Sequence, residues 1–181
     1  MITLTGILYS IMVPSSWIVI RIPPSPLTTK VLDSGEPNAA PMPAGIGAAL
    51  GCPESKVCVV SGDGGIQMTI QELGTIMEHK IPVKIIILNN NYLGMVRQWQ
   101  ELFYEERYSS TSIQNPDFVA LAAAYGIKGR KVEQRQDLDK AVREMVACDS
   151  AFVLEVMVEK KGIVYPMVPA GKCITDVMLK S

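Results

Sequence analysis

Two short polar segments contain the residue types that hold a metal-bound diphosphate. Residues 62–65 read Gly-Asp-Gly-Gly and follow the apolar run 57–61, and residues 89–91 read Asn-Asn-Asn and follow the apolar run 83–88. Short β-branched runs of this kind are typical of strands buried on both faces of a parallel sheet. Because ligands bind outside the carboxyl ends of such strands, we expect the two polar segments to lie together at one edge of the sheet.

These residues suit the binding of Mg²⁺ and phosphate. Asp63 would supply a carboxylate and Asn90 a neutral amide oxygen, and Mg²⁺ takes oxygen ligands while keeping phosphate oxygens in its shell. The glycines of residues 62–65 let the backbone turn sharply and bring its N–H groups close to phosphate. A helix beginning near Ile66 would point its positive end at the same anion.

Each segment also has a purely structural interpretation. Gly-Asp-Gly-Gly occurs in tight strand-to-helix turns, and asparagine runs occur in ordinary loops. A dinucleotide-binding motif is not supported, because Gln67 stands where that motif places a glycine. The joint occurrence of both segments after two strand-like runs favours the metal-diphosphate interpretation.

Longer stretches of the chain resemble one protein family. The Gly-Asp-Gly and Asn-Asn pair, at this separation, resembles the cofactor motif of thiamine diphosphate (ThDP) enzymes. The surrounding text resembles one branch of them, the catalytic subunit of acetolactate synthase. The matching stretches are residues 62–69, 71–73, 82–91, 93–100, 102–104, 107–109, 115–118 and 164–171. Residues 94–99 and 165–171 are the stretches most specific to that branch.

The resemblance implies cofactors and a set of site residues. The implied cofactors are ThDP and Mg²⁺, whereas FAD, which full-length members bind, is not expected in this chain. The metal ligands are expected to be Asp63, Asn90 and the backbone carbonyl of Tyr92, and Trp99 is expected at the substrate channel. The implied cofactor-binding residues are Gly62, Asp63, Gly64, Gly65, Asn90, Tyr92, Leu93, Gly94 and Met95. No catalytic residue is assigned here, because the family's proton-relay glutamate lies in a separate N-terminal domain.

The resemblance also implies a reaction and partners. Acetolactate synthase condenses pyruvate with a second 2-keto acid, with loss of CO₂, in branched-chain amino acid biosynthesis. The implied partners are small-molecule 2-keto acids, the missing N-terminal pyrimidine-binding domain, a second copy in a homodimer, and a regulatory subunit. We expect this chain to be inactive alone. The alternatives are a catalytically silent cofactor-binding module and a subunit of another ThDP enzyme, of the pyruvate oxidase or 2-keto acid decarboxylase type.

The resemblance divides the chain into two parts. Residues 43–181 match the ThDP-binding (C-terminal) domain, and residues 1–42 do not match the family. Residues 17–22 are interpreted as an edge strand of a truncated domain or as part of a non-native segment. The apolar stretch 7–22 contains Pro-Ser-Ser at 14–16, so no uninterrupted run approaches the roughly 20 residues that span a bilayer.

Composition indicates an ordinary globular domain. The 181 residues carry a net charge of −1, with 48% hydrophobic and 19% charged residues, which is typical of α/β domains. No basic stripe is present, so nucleic acid is not indicated as a partner. The four cysteines form no Cys-x-x-Cys pair, which argues against a zinc or redox motif and indicates a reducing, cytoplasmic setting.

Alternating helical and strand-like segments predict the fold class. We expect an α/β fold of three layers, a parallel sheet with helices on both faces, as in the ThDP-binding fold. The predicted strands are 57–61, 83–88, 127–132 and 152–158. The predicted helices are 43–50, 66–79, 94–103, 116–125 with Asn115 as its N-cap, 137–148 and 174–179.

Overall fold

A computed structural model defines the fold. It describes residues 18–22, 30–33, 41–169 and 171–179. Within these ranges, none of the helices combines the length and apolar character needed to cross a membrane.

Helices and strands alternate along most of the described chain. In order they are β1 (Ile18–Ile22), β2 (Lys30–Asp33), α1 (Pro41–Gly51), β3 (Lys56–Gly62), α2 (Asp63–Ile66), α3 (Glu72–His79), β4 (Lys84–Asn89), α4 (Gly94–Phe103), α5 (Phe118–Ala124), β5 (Lys128–Val132), α6 (Leu138–Ala147) and β6 (Phe152–Met157). Short 3₁₀ turns lie at Gln67–Thr69, Arg135–Asp137 and Ile174–Asp176.

The described strands form one sheet in the order β2-β1-β3-β4-β6-β5. Strands β3, β4, β6 and β5 are parallel, whereas β1 is antiparallel to both of its neighbours. Gly62 pairs with Leu88, so the residues that follow, Asp63 and Asn89, lie side by side at the carboxyl edge. The sheet register therefore brings together the two polar segments found in the sequence.

Helices cover both faces of the sheet, as predicted. Alternate positions on β3 point to opposite sides, because successive side chains of a strand alternate between faces. Val57 and Val59 belong to a core cluster that includes residues of α1, α3 and α5. Cys58 and Val60 belong to a second cluster that packs under α6. The three-layer α/β arrangement is confirmed.

The predicted helix 66–79 is interrupted. Regular helix begins earlier, at Asp63, and gives way to the 3₁₀ turn Gln67–Thr69 before α3 starts at Glu72. The side-chain amide of Gln67 donates to the Asp63 carbonyl at 3.1 Å, which is the acceptor that a regular α-helix would use for the Gln67 backbone N–H. The Gln67 backbone N–H donates instead to the Gly65 carbonyl. The expectation of a helix beginning near Ile66 is therefore wrong.

The N-terminal strand is not at the sheet edge. Residues 18–22 form a strand as expected, but it pairs with β2 on one side and β3 on the other. The edge position is taken by β2, which the sequence did not predict. The Pro-Ser-Ser segment at 14–16, which interrupts the apolar stretch, lies outside the described residues.

Two further helix predictions need correction. Helix α5 begins at Phe118, and its N-cap is Asp117, whose carboxylate accepts from the Ala120 N–H at 2.9 Å. Asn115 is not the cap, because its side chain is hydrogen-bonded within the site described below. The predicted helix 174–179 is reduced to a 3₁₀ turn, because the backbone of Met178 pairs with that of Met167.

Candidate metal and cofactor site

Asp63 lies at the carboxyl end of β3 and is almost completely buried. The residue is 2% exposed. The Asn91 N–H donates to its Oδ2 at 2.8 Å, and the Asn115 amide donates to the same oxygen at 2.6 Å. The loop after β4 and the segment before α5 therefore both converge on one carboxylate.

Asn115 is the residue that sequence reasoning missed most clearly. Its Nδ2 lies 2.6 Å from Asp63 Oδ2, 2.9 Å from Asn89 Oδ1 and 3.2 Å from Asn91 Oδ1. Its Oδ1 accepts from the Gln67 side-chain amide at 2.8 Å. An asparagine before Pro116 reads equally well as a helix cap, so the only sequence signal was its place within a stretch that resembles the family.

Asn89 links the site to a second buried carboxylate. Its amide Nδ2 donates to Glu155 Oε1 at 2.7 Å, and its Oδ1 accepts from the Asn91 N–H at 3.1 Å. Both Asn89 and Glu155 are buried. Glu155 lies in the interior of β6, where the apolar pattern of the strand gave no hint of a role in the site.

The loop carrying the other predicted metal ligands is held in a fixed shape. Asn90 Oδ1 accepts from the Tyr92 N–H at 2.9 Å. Asn91 has a left-handed backbone, with φ of 59°, a conformation that asparagine tolerates better than most residues. The Leu93 N–H donates to the Thr111 carbonyl at 2.8 Å, so the loop is also tied to the segment that precedes α5.

The predicted cofactor-binding residues occupy two neighbouring turns. Gly62 ends β3, Gly64 and Gly65 lie in α2, and Gly94 and Met95 begin α4. A Cβ placed on Gly64 would lie 2.6 Å from Leu93 Cδ2, so these two turns are in direct contact. A larger residue at position 64 would therefore have to displace the Leu93 side chain.

Trp99 lies one turn further along α4 and is 43% exposed. The adjacent residue, Gln98, faces the interior: it is fully buried and bonds both backbone groups of Val164. Trp99 therefore projects from a helix whose orientation is fixed by buried polar contacts.

The oxygen atoms available as metal ligands around Asp63 suit a hard cation. Burial raises the pKa of the Asp63 carboxyl, and hydrogen bonds from Asn115 and from the N–H groups of Asn91 and Gly64 partly offset that rise. Within the described ranges, no lysine or arginine forms a salt bridge with Asp63. A buried carboxylate without a cation is costly, so this one calls for an external positive charge.

The other metal ligands predicted for this site are amide and carbonyl oxygens. The described part of the chain contains no group of three His, Cys, Asp or Glu side chains that would hold a metal ion by themselves. One carboxylate with neutral oxygen ligands matches Mg²⁺, which completes its shell with phosphate oxygens and water.

The fold and the candidate site define a class: α/β domains with a polar site, built around a buried carboxylate, at the carboxyl edge of the parallel strands. Residues 37–156 match the family model described as "Thiamine pyrophosphate enzyme, C-terminal TPP binding domain". The chain belongs to that family, whose name specifies ThDP as the bound cofactor.

Curated relatives agree with the resemblance found in the sequence. The mitochondrial acetolactate synthase of Schizosaccharomyces pombe is 48% identical over 138 residues, which are 76% of this chain and 21% of that protein. The acetolactate synthase isozyme 2 large subunit of Escherichia coli is 41% identical over 140 residues, or 77% of this chain and 26% of that protein. The chain thus spans about a fifth to a quarter of the curated relatives that it matches.

A solved structure supports the fold. The ThDP-dependent 4-hydroxybenzoylformate decarboxylase of Rhodococcus jostii RHA1 matches with a TM-score of 0.62 and 33% sequence identity. The match covers 66% of this chain and 23% of the decarboxylase.

Proposed function

We propose that this chain is the part of an acetolactate synthase that binds ThDP and Mg²⁺. The family and the curated relatives support the assignment. The observation that carries the metal half of the proposal is the buried Asp63 carboxylate, held by Asn91 and Asn115 with no salt bridge to a described residue. In the complete enzyme, pyruvate would condense with a second 2-keto acid with loss of CO₂.

The residues present divide the binding work between charge and shape. Asp63, the Asn90 side chain and the Tyr92 carbonyl hold Mg²⁺. Gly62, Gly64, Gly65, Leu93, Gly94 and Met95 surround the diphosphate. When bound, ThDP supplies an electron sink for loss of CO₂ from a 2-keto acid. The chain's own contribution is to hold the Mg²⁺ that would neutralise the diphosphate, fix the position of the diphosphate and exclude water from the buried end of the site.

Trp99 would shape the substrate channel. Its indole is attached to α4, the helix that begins with the cofactor-binding residues Gly94 and Met95. A large, partly exposed aromatic side chain at this place can discriminate between second substrates by size, and an indole favours the longer 2-keto acid.

The complete activity needs partners. No residue of this chain is assigned to activate the cofactor, so an N-terminal pyrimidine-binding domain would supply the activating residue. The further partners are a second copy, in a homodimer, and a regulatory subunit. The four free cysteines fit a reducing compartment. We propose the cytoplasm as the location, and cell fractionation would distinguish it from the mitochondrion, which is named for the fungal relatives.

Complementation tests the proposed function. The chain would be co-expressed with the N-terminal remainder of the E. coli relative, and acetolactate formed from pyruvate would be measured. We expect product with the native chain, none with Asp63→Ala, and native yield with Asp139→Ala, an exposed carboxylate on α6. An aldehyde product would instead indicate the decarboxylase class to which the Rhodococcus structure belongs. Magnesium-dependent ThDP binding without any product would indicate a cofactor-binding module that is silent by itself.

A further inference from the structure

The hydrogen bonds around Asp63 are unequally divided between its two oxygens. Asn91 N–H and Asn115 Nδ2 both donate to Oδ2, at 2.8 and 2.6 Å. Among the described residues, no side chain donates to Oδ1. The backbone N–H groups of Gly64 and of Asp63 itself also hydrogen-bond the carboxylate. The bonds from the two distant segments both fall on Oδ2, which leaves Oδ1 as the oxygen offered to a ligand.

The orientation of the Asn115 amide follows from its neighbours. Three acceptor oxygens, from Asp63, Asn89 and Asn91, surround one end of this amide, and a donor from Gln67 faces the other. Turning the amide around would place its oxygen against a carboxylate and two carbonyl oxygens. Only the amino group fits toward Asp63.

The Asn89 amide is fixed in turn by Glu155. The Glu155 carboxylate can only accept, so it requires the amino end of Asn89, which lies 2.7 Å away. Asn89 Oδ1 therefore faces the side-chain amino group of Asn115 and the backbone N–H of Asn91, and it accepts from both. Glu155 thereby acts on Asp63 through two amides, although it does not touch it.

We propose that Asn115, oriented by Glu155 through Asn89, is a positioning residue that occupies Asp63 Oδ2 and so restricts Asp63 to one-oxygen coordination of the metal. The inference rests on the proposed function, because it takes Asp63 to be a metal ligand. Ca²⁺ often binds both oxygens of a carboxylate, whereas Mg²⁺ is smaller and takes near-octahedral shells. Restricting Asp63 to one oxygen therefore favours Mg²⁺ over Ca²⁺.

The first test replaces the donor and measures metal preference. MgCl₂ or CaCl₂ would be titrated calorimetrically into the full chain in the presence of ThDP. The native chain, Asn115→Ala and Gln114→Ala would be compared. Gln114 is the matched control, because it is the adjacent amide side chain and is exposed. Loss of an outer-shell partner lowers metal affinity about 10- to 100-fold. We expect a loss of that size for Mg²⁺ in Asn115→Ala, a smaller loss for Ca²⁺, and no change in Gln114→Ala.

The second test acts at the remote end of the network and needs no change in Asn115. Glu155→Gln keeps an acceptor for Asn89, whereas Glu155→Leu removes it and lets the Asn89 amide turn. We expect Glu155→Gln to keep the native Mg²⁺ to Ca²⁺ preference and Glu155→Leu to lose it. Thermal unfolding without metal would show whether each variant is folded. If Asn115→Ala does not fold, the two Glu155 variants test the positioning role by themselves.

The outcomes separate the two proposals. Equal losses for Mg²⁺ and Ca²⁺ in Asn115→Ala, or native behaviour in Glu155→Leu, would overturn the positioning role while leaving the metal site in place. Binding of ThDP to the native chain without any metal dependence would overturn both, because Asp63 would then not be a ligand.

Discussion

Two buried residues of α4, Arg97 and Gln98, bond the C-terminal segment, and replacement of the glutamine gives a sharp prediction. Gln98 is fully buried, accepts from the Val164 N–H at 2.9 Å and donates to the Val164 carbonyl at 3.1 Å. Gln100, two residues on, makes the same pair of bonds to Ser109, at 2.8 and 3.0 Å, but on the exposed side of the helix. The two variants Gln98→Ala and Gln100→Ala therefore differ chiefly in burial.

The expected cost follows from which groups lose their partners. Gln98→Ala leaves two backbone groups of Val164 unpaired, at about 1 kcal/mol each, the low end of the range because Val164 is only half-buried. Loss of the buried methylene adds about 0.8 kcal/mol. We expect Gln98→Ala to lower the free energy of unfolding by about 3 kcal/mol in total, and Gln100→Ala to change it by less than about 0.5 kcal/mol.

Urea unfolding of the full chain measures both values, provided that the slope of free energy against urea is unchanged. Limited proteolysis adds a local readout, because residues 162–179 should become cleavable in Gln98→Ala before the rest unfolds. Equal destabilisation by the two variants would refute the reasoning, because burial would then not set the cost.

Three further predictions concern the core and the channel. Gly45→Ala should destabilise by about 1–3 kcal/mol, because its Cβ would lie 2.2 Å from Val59 Cγ2, whereas Gly47→Ala, with nothing within 4 Å, should stabilise by up to about 1 kcal/mol. Burial raises the pKa of Cys58 to about 12, so its stabilising contribution is complete below the ordinary thiol pKa of about 9 and is lost as pH rises toward 12. Unfolding measured at pH 7 and pH 10 should show the native chain losing about 1.4 kcal/mol more than Cys58→Val. Trp99→Leu should leave ThDP affinity unchanged and, in the complemented enzyme, reduce the preference for the longer second substrate.

Each of these predictions has a contradicting result. Loss of stability in both glycine variants would mean that space around α1 does not decide the sign. Identical pH dependence in native and Cys58→Val chains would mean that the thiol is accessible in the folded state. A large loss of ThDP affinity in Trp99→Leu would place the indole at the cofactor and not at the channel.

Local patterns predicted the part of the site that depends on strand ends. The apolar runs before Asp63 and Asn89 predict buried parallel strands, and a parallel register places the ends of neighbouring strands at the same edge. The predicted bounds of helix α4 are also those of the structure. In these cases short-range periodicity is sufficient, because the packing of a β-branched run or an amphipathic helix is decided by its own residues.

The missed features depend on contacts between distant residues. Asn115 and Glu155 join the site through hydrogen bonds to side chains far away in the sequence, and their local sequence reads as a helix cap and a strand interior. Gln67 interrupts a helix by bonding a carbonyl that the helix pattern assigns to the backbone. The position of β1 between two partners likewise depends on strand pairing, which hydrophobic periodicity does not specify.

The most direct test of the central claim is calorimetric titration of ThDP into the full chain, first with Mg²⁺ and then with EDTA. The account predicts binding in Mg²⁺ that EDTA abolishes, and no binding to Asp63→Ala in either condition. Asp139→Ala should bind as the native chain does. Equal ThDP affinity with and without Mg²⁺, or unchanged affinity in Asp63→Ala, would contradict the assignment of the buried carboxylate as the metal ligand.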